Sequence, residues 1–242
     1  MPAWVYLLVV LAAVLFLFVR WVERRLKRAS REQFVRSYMF PTGLFEKLHR
    51  ARPGLDAKGQ QLVARALRQF FLAYLKSDYR RVSMPSQAVD DLWHEFILFT
   101  RDYQTFCDQA FGRFLHHTPA VRMGTAKSDN EGLRRVWWFS CLEENINPRK
   151  ATRLPLLFAI DRKLEIKDGF FYDLHCRRQL DRDPAYDGSG SPAVQCTDLF
   201  ADSTIDKSLA GFGCGGGGGC IAGGDGGDGG CSGGCGGGCG GD

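Results

Sequence analysis

The sequence predicts a mainly α-helical protein made of an N-terminal transmembrane helix, a cytoplasmic helical domain and a disordered Gly/Cys-rich tail. Three observations carry that prediction. An apolar run without a single charge occupies Ala3 to Val19. The segments beyond it repeat apolar residues at intervals of three and four, the pattern of amphipathic helices. The last 32 residues hold 20 of the 29 glycines and five of the nine cysteines, a composition unable to bury enough apolar area to offset its ordering entropy.

With Trp21 and Val22 the apolar run reaches about the 20 residues a helix needs to cross a bilayer, so residues 3–22 are expected to form an anchor. A cleaved signal peptide fits less well. There is no basic stretch ahead of the run, and Arg20-Trp21-Val22-Glu23 stands where a small-residue cleavage site belongs. Between Arg20 and Arg36 lie seven basic and two acidic residues, which equals the whole chain's net charge of +5. That flank places the rest of the chain on the cytoplasmic side of an inner membrane, N-terminus outside, and sets basic side chains against anionic lipid. Beyond Arg36 the charges balance, so no nucleic-acid partner is expected. In a reducing compartment Cys107, Cys141, Cys176 and Cys196 are expected as free buried thiols or ligands, with no disulfide framework.

Residues 23–54 read as a basic juxtamembrane segment and connecting helix. Within it the helical stretch Arg31 to Leu48 is interrupted near Pro41-Thr42-Gly43. A helical domain is expected over 55–180. Its first helix, Lys58 to Leu75, carries Leu62, Val63, Ala66, Leu67, Phe70, Phe71, Tyr74 and Leu75 on one stripe. The next starts near Pro85, with either Met84 or Ser86 as its cap, and buries Val89, Trp93, Phe96 and Ile97. Another, from about Arg101, lines up Tyr103, Phe106, Cys107, Ala110, Phe111 and Phe114; spacing leaves open whether a turn at Thr100 divides the two. Thr118 to Gly132 reads as a polar loop and Leu133 to Glu144 as a helix, with Trp93, Trp137 and Trp138 all in the core. From Leu154 the period blurs into short helix and a two-stranded element around Asp168-Gly169. Residues 181–210 read as a linker and 211–242 as the tail.

Chemistry concentrates between Asp90 and His117. Asp90 and His94 are neighbours at i, i+4, where the carboxylate can accept from the imidazole and fix its tautomer; loss of that bond is expected to cost about 1–3 kcal/mol. Tyr103 and Cys107 are neighbours in the same way. One reading makes His94 a zinc ligand with Cys107 and His116 or His117, oriented by Asp90. The other makes the cluster a polar fastening between helices, with Cys107 as a small hydrophobe. Glu95, Glu143 and Glu144 read as solvated carboxylates. No nucleophile elbow, phosphate-binding loop or dinucleotide fingerprint is present.

The run Val89-Asp90-Asp91-Leu92-Trp93-His94, with Tyr103-x-x-x-Cys107, Gly112 and His116 after it, resembles the glycine-rich domain-containing protein family over roughly residues 55 to 150. The resemblance implies a mostly helical domain and names no activity. The tail resembles, in composition, the Gly/Cys/Ser-rich region of microcin-type precursors, whose cysteines are enzymatically cyclised. The functional expectation is a membrane-tethered scaffold with a protein partner, displaying the tail. A zinc-dependent enzyme built on Asp90, His94, Cys107 and His116 is the first alternative, and a tail that is the substrate of cysteine modification is the second.

Overall fold

The computed structural model describes residues 2–117, 127–174 and 194–197. Among them are seven helices and two short strands: α1 (Ala3–Ser37), α2 (Thr42–Ala51), α3 (Ala57–Lys76), α4 (Gln87–Leu98), α5 (Thr100–Ala110), α6 (Lys127–Glu143), α7 (Leu156–Lys163), β1 (Phe171–Asp173) and β2 (Val194–Cys196). The fold is mainly helical, as the apolar periodicity requires.

Helix α1 is continuous over 35 residues, about 52 Å at 1.5 Å per residue. Its first part is long and apolar enough to cross a membrane, and Trp4, Leu8, Leu11, Phe16, Phe18 and Trp21 all stand exposed there. The same helix ends inside the domain, where Val35 is fully buried. Phe34 lies 5.9 Å from Phe106 and Tyr38 4.6 Å from Phe106, ring to ring. Three residues of the basic flank are committed to the domain. Arg28 donates to the Lys76 carbonyl at 2.8 Å, Arg31 to the Tyr79 hydroxyl at 2.7 Å, and Arg36 to Glu143 Oε2 at 2.9 Å. Val35, Phe40, Leu44 and Leu48, ahead of residue 55, belong to the same core as Phe71 and Phe96.

The break between α1 and α2 falls at Pro41, as proline demands. Helix α3 is the centre of the bundle, capped by Asp56, whose carboxylate accepts from Gly59 N at 2.7 Å. An amphipathic stripe was expected, yet every residue from Gln69 to Leu75 is buried, because α1, α2, α4, α6 and α7 all pack on α3. Helix α4 is capped by Ser86, which accepts from Val89 N at 3.2 Å. A turn at Phe99, with ψ 63°, separates α4 from α5. After α5 the chain reverses at Gly112 with φ +68°, and a Cβ there would stand 2.5 Å from Arg31 Nη2.

Two expectations about the later chain are corrected. Helix α6 begins at Lys127, inside the stretch read as loop, because its first residues, Lys127 to Glu131, are all polar and leave no apolar period to read. The two strands are not a hairpin around Asp168-Gly169. β1 pairs in parallel with β2, Phe171 opposite Val194, and Thr197 is buried and donates to the Asp173 carbonyl at 3.1 Å. Part of the supposed linker is thus folded back; parallel pairing joins segments remote in sequence, so local spacing carries no signal of it. Residues 211–242 lie outside the described residues, as does Cys176.

Two carboxylate acceptors, one buried and one partly buried, tie these elements together. Asp161 on α7, 1% exposed, accepts from Ser86 Oγ (2.6 Å), Gln87 N (2.8 Å), Ala88 N (3.3 Å) and Phe170 N (2.9 Å). Its carboxylate sits on the N-terminus of α4, where donors and the helix dipole favour negative charge. Gly169 leaves room for it: a Cβ there would approach Asp161 Cβ to 2.6 Å. Glu144 performs the same service for α7, accepting from Leu156 N at 2.6 Å and from Gln69 Nε2 at 3.0 Å, while Gln69 Oε1 accepts from Leu157 N at 3.0 Å. Glu143 receives Arg36 of α1 and Lys76 of α3, the latter at 2.7 Å. The two glutamates expected as solvated are 16% and 14% exposed at the side chain.

Replacing Asp161 by Ala strands several buried donors and is expected to cost about 3 kcal/mol or more in a denaturant melt; Gly169→Ala is expected to destabilise through the same contact. Acid tests the Glu143 clamp. Burial pushes the Glu143 carboxyl up, but hydrogen bonds from Arg36 and Lys76 outweigh it and hold the group below its ordinary value. A depressed carboxyl contributes stability that is complete above the unfolded value of about 4.3 and is lost as pH falls through the lower folded value. Melts from pH 7 down to pH 3 are therefore expected to show a stability loss below about pH 4.3 that is smaller in Glu143→Gln.

Candidate functional site

The site is built on one face of α4 and on the chain just beyond α5. Asp90 and His94 stand one turn apart on α4, and Asp90 is 7% exposed. His117 comes back from beyond α5 and places Nε2 2.8 Å from Asp90 Oδ1. His94 Nδ1 is 3.6 Å from Asp90 Oδ2, beyond hydrogen-bond range. The two imidazole centroids are 4.0 Å apart, and the His117 ring meets Trp93 edge-on at 4.5 Å.

What brings His117 home is a buried relay. Trp93 Nε1 donates to the Tyr103 hydroxyl at 3.1 Å, and that hydroxyl donates to the Leu115 carbonyl at 2.5 Å. The relay joins α4, α5 and the returning stretch of chain two residues before His117. Burial holds the Tyr103 hydroxyl far above its ordinary value, with Cys107 adding to the shift and the Trp93 N–H opposing it, so Tyr103 stays a neutral donor and acceptor. Phe96, 5.2 Å away and edge-on, and Phe114, likewise at 5.2 Å, clamp its ring.

Of the residues singled out from sequence, Asp90, Trp93, His94 and Tyr103 converge here. Cys107 and His116 do not join the ligand set. Among the described residues the group whose ligand atoms lie within 4.8 Å of one another is Asp90, His94 and His117. Cys107 is fully buried within the core and lies outside that group, and burial pushes its thiol up against opposing hydrogen bonds from Leu115 and Tyr103. His116 points outward with its ring 4.8 Å from Phe114. In an extended segment adjacent side chains face opposite ways, so of the two histidines only one can turn inward. Cys107 and Cys141 are free thiols, and burial raises Cys141 to about 12. Glu95 pairs with Lys47 at 3.7 Å on the surface.

The fold and this cluster define a helical domain, entered by a long apolar N-terminal helix, whose Trp–Tyr relay holds an Asp–His–His group at the surface. A family model described as UCP032817-like matches residues 30–197, more than half of the chain, and the chain belongs to that family. Comparison with curated proteins and with solved structures returned no match. The family match replaces the resemblance to the glycine-rich domain-containing family, whose expected span of 55 to 150 falls wholly inside residues 30–197. The Trp and Tyr of that motif are the two partners of the indole–phenol hydrogen bond that links α4 to α5, and so short a motif did not name the family.

The geometry shifts the coupling expected for Asp90. His94 is 48% exposed at the side chain and His117 only 8%, so the stronger bond is the one to His117. A double-mutant cycle on Asp90→Ala and His117→Ala is expected to give a coupling of about 1–3 kcal/mol, and the cycle with His94→Ala under about 0.5 kcal/mol. Denaturant melts of the four combinations measure both.

Proposed function

We infer that the chain is a single-pass inner-membrane protein, N-terminus outside, whose helical domain serves on the cytoplasmic side as an interaction scaffold that displays the Gly/Cys-rich residues 211–242 to a protein partner. The observation that carries this reading is the continuity of α1. One helix leads from the exposed apolar stretch into the core at Val35 without a joint. If residues 3–22 fill the bilayer, only about six residues, roughly 9 Å of helix, separate the membrane from Arg28 and its bond to α3. The domain is then held at the headgroup surface by a rigid stem, an arrangement that fixes the position of whatever it carries. Arg20, Arg24, Arg25 and Lys27 fall in or beside that short interval, where anionic lipid attracts basic side chains.

Reporter fusions to the C-terminus test the topology. A fluorescent protein is expected to glow and alkaline phosphatase to stay inactive; the opposite pair of results would reverse the orientation, and recovery of the chain in the soluble fraction would remove the anchor. For the scaffold role, in-cell crosslinking of the full chain is expected to yield a discrete adduct that disappears on deletion of residues 211–242 while the membrane-bound level is unchanged.

A further inference from the structure

We propose that Asp90, His94 and His117 form a binding site for a divalent first-row transition metal of the zinc class, with one coordination position open to solvent. The site goes beyond the scaffold reading and does not depend on it.

The distances admit a metal as well as a hydrogen bond. Two ligand atoms on a tetrahedral zinc, with bonds of about 2.0–2.1 Å, stand roughly 3.3 Å apart. Here the Asp90 oxygens lie 2.8 Å from His117 Nε2 and 3.6 Å from His94 Nδ1, on either side of that spacing. All three ligand atoms fall within 4.8 Å of one another.

The surroundings point the same way. Asp90 is nearly buried, and a buried carboxylate calls for a cationic or multiply donating partner. His117 supplies one bond to Oδ1. His94 stands too far for a hydrogen bond to Oδ2, yet its ring sits 4.0 Å from that of His117. A fastening needs one imidazole; two imidazoles converging on one carboxylate make a nitrogen–nitrogen–oxygen donor set, which suits zinc, iron or cobalt rather than calcium or magnesium. The set is also preorganised. Trp93 walls the His117 side at 4.5 Å, and the Trp93–Tyr103–Leu115 relay fixes the chain two residues before the ligand. On the other side His94 is half exposed, so three protein ligands leave a fourth position for water or an oxygen donor, as in zinc sites that are not closed.

Metal titration of the full chain in detergent tests this, with the tail cysteines removed as C214S, C220S, C231S, C235S and C239S so that their thiolates do not compete. Cobalt, reporting as a spectroscopic stand-in for zinc, is expected to bind at one equivalent with ligand-field bands, without a thiolate charge-transfer band, and to be displaced by zinc. His94→Ala is expected to weaken binding roughly tenfold or more; its half-exposed side chain can be removed with the helical circular dichroism and melting midpoint retained. His117→Ala is expected to do the same. Should His117→Ala fail to fold, His94→Ala and His94→Gln decide alone. His116→Ala and Cys107→Ser are expected to bind as the parent does. Absence of saturable binding in the parent, binding undiminished in folded His94→Ala, or a thiolate band lost in Cys107→Ser would each overturn the proposal.

Discussion

The Asp161 carboxylate is the constraint on which the arrangement of the site depends. It is almost wholly buried, and it accepts from Ser86, two amides at the start of α4 and the Phe170 amide. The two α4 amides are orphans of a helix start inside the protein, and without an acceptor they would remain desolvated and unpaired. The position of α4, and with it Asp90 and His94, is set by a residue 75 positions beyond the Ser86 cap. Asp161 is itself positioned by borrowed caps, since α7 starts on Glu144, just past α6, and Gln69 of α3. The starts of α4 and α7 are thus held by acceptors from other elements, and these polar ties run between helices of the bundle.

The second organising relation is between α1 and the rest. Helix α1 is apolar and exposed in its first part, where it is long enough to cross a membrane, and its last turns pack into the core. Its docked end is tied by aromatic rings on one side and by Arg28, Arg31 and Arg36 on the other. These three basic residues join the first helix to the domain. Arg31 further explains Gly112: the guanidinium occupies the space a side chain would need at a position where φ is already positive.

Around Asp90 the chemistry separates into two layers. Trp93, Tyr103, Phe96 and Cys107 are buried and act on position, the aromatic rings by edge-on packing and the Trp93–Tyr103 hydrogen bond by linking two helices. Asp90, His94 and His117 form the outer layer, graded from a buried carboxylate to a half-exposed imidazole. Cysteine belongs to the inner layer, where burial keeps the thiol protonated; nitrogen and oxygen donors make up the outer one.

Local sequence by itself determined the class of fold, the long apolar first helix, the break at Pro41 and the place of Asp90 and His94 on one face of α4, because these depend on neighbours within one or two turns, whereas the hydrogen bond expected between those two goes to His117 instead. It also placed Trp93 and Tyr103 on apolar stripes, and both are buried. Choosing between Met84 and Ser86 as the cap, and finding the turn at Phe99, needed backbone geometry. Periodicity described α3 as one-faced, since the number of helices packing on it is not a local property. Only the tertiary structure decided that His117 rather than His116 or Cys107 meets Asp90, because which of two adjacent histidines turns inward is set by the Tyr103–Leu115 hydrogen bond. The caps from Asp161 and Glu144 and the parallel pairing of β1 with β2 were equally hidden. A buried acceptor reads in sequence like any surface carboxylate, and what separates the two is the set of donors that folding brings to it from far along the chain.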